Sequence, residues 1–209
     1  MSNNNFSKYS EELQNKGYTI IDNFVPDDLA KELNNIYISE QENNWEFIDQ
    51  TRDNHYAHVF KTENQLLPKE GEKYKAKFWR SENLESHERV NDIFNSNFKD
   101  RIKQFSGINL QEFDNRCYRL KQGNYYRLHI DDYAGYINSI YYVNENWKWD
   151  WGGILHVCDH EEEEYIRPIF PKYNRLVLLH NQKFRSPHFI SQVSEYAQNP
   201  RFSIVSFNK

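Results

Sequence analysis

His129-Ile130-Asp131 closes the stretch RCYRLKQGNYYRLHIDD, which runs from Arg116 to Asp132, and sets an imidazole and a carboxylate two residues apart. In an extended strand residues i and i+2 point to the same face, so the two side chains converge on one point. Two histidines and one carboxylate on one face of a divalent first-row metal leave three coordination positions open for reactants. The second histidine is expected at His188, within Arg185-Ser186-Pro187-His188-Phe189. Further on, Arg201-Phe202-Ser203-Ile204-Val205 carries a cation and, one same-face step later, a hydroxyl on a closing strand. The chain thus presents, in order, H-x-D, H and R-x-S.

Other motifs accompany that order. They are Gly123-x-x-Tyr126-x-x-His129-x-Asp131, the strand Ile140-Tyr141-Tyr142-Val143-Asn144, Trp151-Gly152-Gly153-Ile154-Leu155, Pro171-x-x-Asn174-Arg175-Leu176-Val177 and Ser186-Pro187-His188. On these residues, from about Tyr118 to Phe207, the chain resembles the Fe(II)- and 2-oxoglutarate-dependent oxygenases of the prolyl-hydroxylase type, with a fainter match over the N-terminal half. Trp-Gly-Gly before a strand and the R-x-S ending are most similar to the branch that hydroxylates prolyl residues in proteins.

The resemblance implies a double-stranded β-helix, a cupin-like jelly roll, with His129, Asp131 and His188 as the catalytic ligands of Fe(II). It further implies 2-oxoglutarate and O2 as co-substrates, the former converted to succinate and CO2 as the substrate is hydroxylated. Relatives that halogenate replace the carboxylate ligand by a small residue, so Asp131 implies hydroxylation or a related oxidation. Arg201 stands where the family binds the far carboxylate of 2-oxoglutarate, and Ser203 could add a donor. The tyrosine that often assists is replaced, three residues before Gly123, by Leu120; Tyr118 or Tyr126 is the expected substitute. Around the mouth, Tyr133, Tyr136 and Trp151 would wall a proline ring and Arg127 would anchor a backbone carbonyl. The favoured substrate is a prolyl residue in a protein or peptide, and the rivals are a small molecule such as a free amino acid or metabolite, or a non-catalytic jelly-roll binding module.

Composition bounds the rest. A chain of 209 residues is long enough for one domain with a full core, read as a helix-rich support with the first strands over 1–110 and a jelly roll over 111–209. A net charge of −5 with no basic patch excludes a phosphate-backbone partner. Two cysteines make neither a disulfide framework nor a zinc site, and no run is apolar enough to span a membrane or to form a secretory signal. A cytoplasmic protein is expected. Fifteen tyrosines within 16% aromatic content favour strands over a helical bundle.

The elements that must position the site follow from periodicity. Ser7 to Asn15 predicts a helix stopped by Gly17, then a strand from Tyr18 to Phe24 and a helix after Pro26 with Leu29, Leu33 and Ile36 as its apolar stripe. Val90, Ile93, Phe94, Phe98, Ile102 and Phe105 predict one long helix capped by Gly107. Seven strands are expected thereafter: Phe113–Leu120, Tyr125–Ile130, Ile137–Val143, Ile154–Cys158, Leu176–His180, Phe189–Val193 and Phe202–Phe207. Between 40 and 80 the pattern is poor, with short candidates at Trp45–Ile48 and Tyr56–Phe60. His55-x-x-His58 lacks a third ligand, and His156, Cys158 and His160 would lie in a row along a strand rather than around one ion. Trp147 to Trp151 reads either as a stacking surface or as the lip of the core.

Overall fold

A short helix, α1 (Asn3–Lys16), is stopped by Gly17, whose φ of 79° is the left-handed conformation that ends a helix at little steric cost. The strand β1 (Tyr18–Asp22) and helix α2 (Asp27–Ser39) follow, the latter with Asp27 and Asp28 at its positive end. The expected stripe on α2 is rotated by about one position: Ala30, Leu33 and Tyr37 are buried, while Leu29 and Ile36 are only half-buried. The cause is Tyr37, whose ring packs 5.6 Å from Phe202 and 6.2 Å from Trp45, turning that side of the helix to the sheet. This computed structural model describes residues 3–52, 74–131, 135–158, 166–184 and 186–209; the candidates His55, His58, Tyr56–Phe60, Tyr133 and His160 lie outside them.

Residues 40–80, poor in pattern, contribute a hairpin pair of β2 (Glu46–Arg52) and β3 (Tyr74–Arg80). A one-turn helix α3 (Glu82–Glu85) is capped by the Ser81 hydroxyl, which accepts from the Leu84 N–H. The single long helix expected next is two, α4 (Glu88–Asn97) and α5 (Lys99–Ser106), broken at Phe98, where φ is −105°. All six apolar residues of the stripe are nevertheless buried. Phe94 stacks on Phe98, and Phe98 meets Phe24 and Tyr141 edge-on, so the bend wraps both halves around one aromatic core. Gly107 caps α5 as expected, at φ 66°.

The remaining strands are β4 (Phe113–Leu120), β5 (Tyr125–His129), β6 (Ile137–Tyr142), β7 (Leu155–Cys158), β8 (Ile166–Ile169), β9 (Arg175–His180), β10 (His188–Ile190) and β11 (Arg201–Asn208), with the one-turn helix α6 (Asn181–Phe184) after β9. Of these, β8 was not anticipated; it carries Pro168 and pairs only with β7 among the described strands, the edge position that a residue without an N–H tolerates. The described pairings are all antiparallel, in the order β1-β9-β6-β11-β4-β3-β5-β10-β7-β8. A five-strand layer, β1-β9-β6-β11-β4, and a four-strand layer, β5-β10-β7-β8, are bridged by β3, which pairs with both β4 and β5. The result is the expected mainly β, jelly-roll-like architecture.

Period two divides each strand of the first layer between two environments. Cys117, Ile137, Tyr141, Leu176, Leu178, Phe202 and Ile204 face outward and form the core with α1, α2, α4 and α5. Their neighbours Tyr118, Ile140, Ser203 and Val205 face inward and line a cavity between the layers. The helices therefore stiffen one face of a sheet whose other face is left for chemistry.

Candidate active site

At the end of β5, His129 lies directly opposite His188, the first residue of β10, in the antiparallel register. Their rings are 4.3 Å apart, centre to centre. Asp131 reaches both, with its Oδ1 3.6 Å from His129 Nε2 and its Oδ2 3.5 Å from His188 Nε2. One ligand atom from each of the three residues lies within 4.8 Å of the others. The structure brings together the three residues singled out in the sequence, and it is strand pairing that carries the distant His188 to the H-x-D pair.

Hydrogen bonds behind the rings orient them. His129 Nδ1 lies 2.8 Å from the Arg127 carbonyl oxygen and His188 Nδ1 2.9 Å from that of Ser186. A carbonyl only accepts, so each Nδ1 carries the proton and donates it, leaving an Nε2 lone pair aimed at the centre, as a metal requires. Asn138 on β6 donates from Nδ2 to Asp131 Oδ2 at 2.7 Å and fixes the carboxylate's rotation. Asn138→Ala should therefore lower Fe(II) affinity by about 10- to 100-fold, the usual weight of such outer partners. Competition with a graded chelator would measure it, and an unchanged affinity would show that Asp131 needs no such support.

The cavity measures about 310 Å³. Its wall is the inward row of β11, and the register sets Arg201 against Leu120, Ser203 against Tyr118 and Tyr142, Val205 against Arg116 and Ile140, and Phe207 against Asn138. Arg201 is only 1% exposed, and its Nε and Nη2 find no hydrogen-bond partner among the described residues. Its guanidinium carbon sits 4.8 Å from the centre of the Tyr142 ring. A buried cation left unpaired costs several kcal/mol, so this end of the cavity is built for an anion that can accept two bonds. Trp151-Gly152-Gly153 now has a physical reading: a Cβ on Gly153 would lie 3.0 Å from Arg201 Cδ, and one on Gly152 only 2.1 Å from the Gln192 carbonyl oxygen.

Tyr74 lines the cavity beside His129, and three further tyrosines, Tyr118, Tyr126 and Tyr142, lie in or next to it. Tyr118 and Tyr126 line the cavity, and the hydroxyls of Tyr126 and Tyr142 are buried without a partner among the described residues. Burial pushes all three phenols above the ordinary tyrosine value, against the lowering effect of Arg201 on Tyr126 and Tyr142, so they are neutral donors at physiological pH. Tyr126 faces inward together with His129, three residues on, because the pairing slips between His188 and Ile190: His188 opposes His129 but Ile190 opposes Tyr126. Tyr142 and Asn138 were missed in the sequence, although their two-residue spacing from Ile140 was a signal for one inward row.

The expected substrate residues fare differently. Trp151 is not at the mouth: it is 4% exposed and packs edge-on against Trp147 at 5.1 Å, because the turn Trp149–Trp151 folds it into the core. Of the two readings of the tryptophan cluster, core holds for Trp147 and Trp151, while Trp149 is exposed and stacks on Phe170. Arg127 contributes its carbonyl to His129, and its side chain is not part of the cavity wall. Tyr136 is 44% exposed at the start of β6 and also lies off that wall. His156 stacks flat on Phe189 at 4.3 Å and gives its Nδ1 to the Ile154 carbonyl, a packing role.

Residues 115–208 match the family model described as the 2OG-Fe(II) oxygenase superfamily. No curated protein matches the chain. Among solved structures it is similar to a prolyl-4-hydroxylase of Pseudomonas putida, at TM-score 0.68 and 16% identity, with 98% of each chain covered. It is also similar to a prolyl hydroxylase of Trichoplax adhaerens solved with a peptide fragment of the hypoxia inducible factor oxygen degradation domain, at 0.66 and 19%, covering 100% of this chain and 93% of that one. A third similarity is to a non-heme alpha ketoglutarate dependent epimerase from nogalamycin biosynthesis, at 0.64 and 10%, covering 100% and 83%. At these identities the structural likeness is one of fold.

Proposed function

Taking the chain as a 2OG-Fe(II) oxygenase of prolyl-hydroxylase-like fold, we propose that it hydroxylates prolyl residues in a protein or peptide. Fe(II) is the family's cofactor and 2-oxoglutarate and O2 its co-substrates; together they would deliver one atom of O2 to a substrate C–H bond and the other to succinate, with release of CO2. In this reading His129, Asp131 and His188 hold the metal, and three donor atoms within 4.8 Å of one another fit that role. Arg201 receives the far carboxylate of 2-oxoglutarate, with Ser203, Tyr142 and one of Tyr118 or Tyr126 as neutral donors around it. The observation that carries the oxygenase reading is Arg201 itself: a buried guanidinium with unpaired nitrogens at the head of a cavity that also holds the His-Asp-His group.

The prolyl substrate is supported by the fold of the Pseudomonas putida and Trichoplax adhaerens enzymes, the second of which was solved with a peptide. A second reading, oxidation of a free small molecule, is favoured by the similarity to the nogalamycin epimerase. We read residues 1–209 as one oxygenase domain, and the free Cys117 and Cys158 support a reducing, cytoplasmic setting. No helix among the described residues is long and apolar enough to cross a membrane.

Proline-containing peptides should raise succinate release above the uncoupled background and gain the mass of one oxygen atom on proline. Stimulation by free amino acids or metabolites with every proline peptide inert would leave the oxygenase and remove the prolyl assignment.

A further inference from the structure

At the opposite end of the inward row from Arg201 stands a second arginine with no part in the site so far. Arg201 pairs with Leu120 and Val205 with Arg116, so the two guanidinium-bearing positions lie four residues apart along the row, about 13 Å at strand rise. Arg116 lines the cavity and also an adjoining open groove of about 430 Å³ formed by β2, β3 and β4, which shares Gln50, Phe78 and Tyr118 with it. It therefore stands where the groove and the cavity adjoin.

Its ion pair is geometrically weaker than its neighbour's, with one acceptor oxygen in place of two. Arg80, in the same groove, is held bidentately by both carboxylate oxygens of Glu85, at 2.8 and 2.6 Å. Arg116 places Nε and Nη2 on a single oxygen, Oδ2 of Asp114, at 3.2 and 2.7 Å. The Tyr118 hydroxyl bonds the fork as well, and five N–H donors still leave some for an incoming carboxylate. The pair is weak, since Arg116 is 36% and Asp114 53% exposed and solvent screens both. The guanidinium carbon lies 4.8 Å from the centre of the Phe207 ring, which holds the fork flat and pre-set in direction.

We propose that Arg116 is a specificity residue that receives a carboxylate of the substrate, favouring a prolyl peptide with an acidic residue beside the target. The inference rests on the hydroxylase reading. Its chemistry is shared by a free amino acid, whose own carboxylate could take the same fork, and the test separates the two sources. Asp114 then acts as a stand-in that the substrate carboxylate displaces or joins.

The experiment compares proline peptides that differ only in carrying Glu or Gln beside proline, together with free proline and its amide, on the wild type, Arg116→Gln and Asp114→Asn. The wild type should prefer the Glu peptide by about tenfold in kcat/KM, the weight of one charge-assisted contact. Arg116→Gln should bring that ratio near one through KM, and Asp114→Asn should widen it by removing the competing carboxylate. Equal use of Glu and Gln peptides by the wild type, or an equal loss on both in Arg116→Gln, overturns the inference and leaves prolyl hydroxylation standing. Inert peptides together with an Arg116-dependent preference for free proline over its amide would instead remove the prolyl-peptide reading and assign the fork to a free acid. If no carboxylate probe of either kind binds or stimulates turnover, the inference falls.

Discussion

Alanine at His129, Asp131 or His188 should each remove stoichiometric Fe(II) and lower succinate release by at least about a hundredfold, beyond the 10- to 100-fold carried by outer partners such as Asn138. The three donors converge within 4.8 Å, and each missing one opens the centre to water with no replacement among the described residues. The fold should survive, because the ligands sit at strand ends around a cavity and not in the aromatic core under the helices. Iron content of the purified variants and their melting temperatures, read together, separate lost ligation from lost structure. A His188→Ala variant that kept tight iron and full turnover would require another third ligand. His180 cannot take that place, since it pairs opposite the outward-facing Ile137 and packs against Phe184.

Much of this site could be read before any fold was known, for a simple reason. H-x-D and R-x-S both exploit the two-residue period of a strand, so their side chains share a face in any extended segment, whatever the sheet around them. His188 needed more, because only the pairing of β10 with β5 brings it against His129. Tyr126 is named by the sequence, but the reason it reaches the cavity is not: it shares that space with His129 only because the register slips between them, and no local pattern marks that bulge. Tyr142 was overlooked beside Tyr141, two identical residues of which one stacks into the core near Phe98 and the other lies under Arg201.

The helical errors have the same origin. Phe98 continues the apolar stripe faultlessly, yet the helix breaks there, since tertiary packing of its ring on Phe94 and against Tyr141 outweighs the small preference for an unbroken run. As an aromatic residue just before the glycine pair, Trp151 is expected to wall a proline ring at the mouth. The two glycines instead serve Arg201 and the Gln192 backbone, and the turn they complete buries the tryptophan.

Arg201 offers the prediction with the sharpest internal contrast. Arg201→Ala or Arg201→Met should weaken 2-oxoglutarate binding by roughly 2 to 4 kcal/mol, about 30- to 1000-fold, by removing a bidentate charge-assisted partner in a dry pocket. Iron binding should be little changed, because the metal group keeps its own ligands and backing hydrogen bonds. Stability should move the other way. Without co-substrate Arg201 is a buried charge whose Nε and Nη2 have no hydrogen-bond partner among the described residues, so replacing it by methionine removes a cost and should leave the apo protein at least as stable as the wild type. Adding 2-oxoglutarate stabilises the wild type by mass action and should raise its melting temperature, whereas the variant should show almost no shift. A guanidinium kept for structural reasons would give the reverse pattern: a variant that melts earlier in the apo state and retains its co-substrate shift. That outcome would move the carboxylate site to another cation, with Arg116 as the one already facing the cavity.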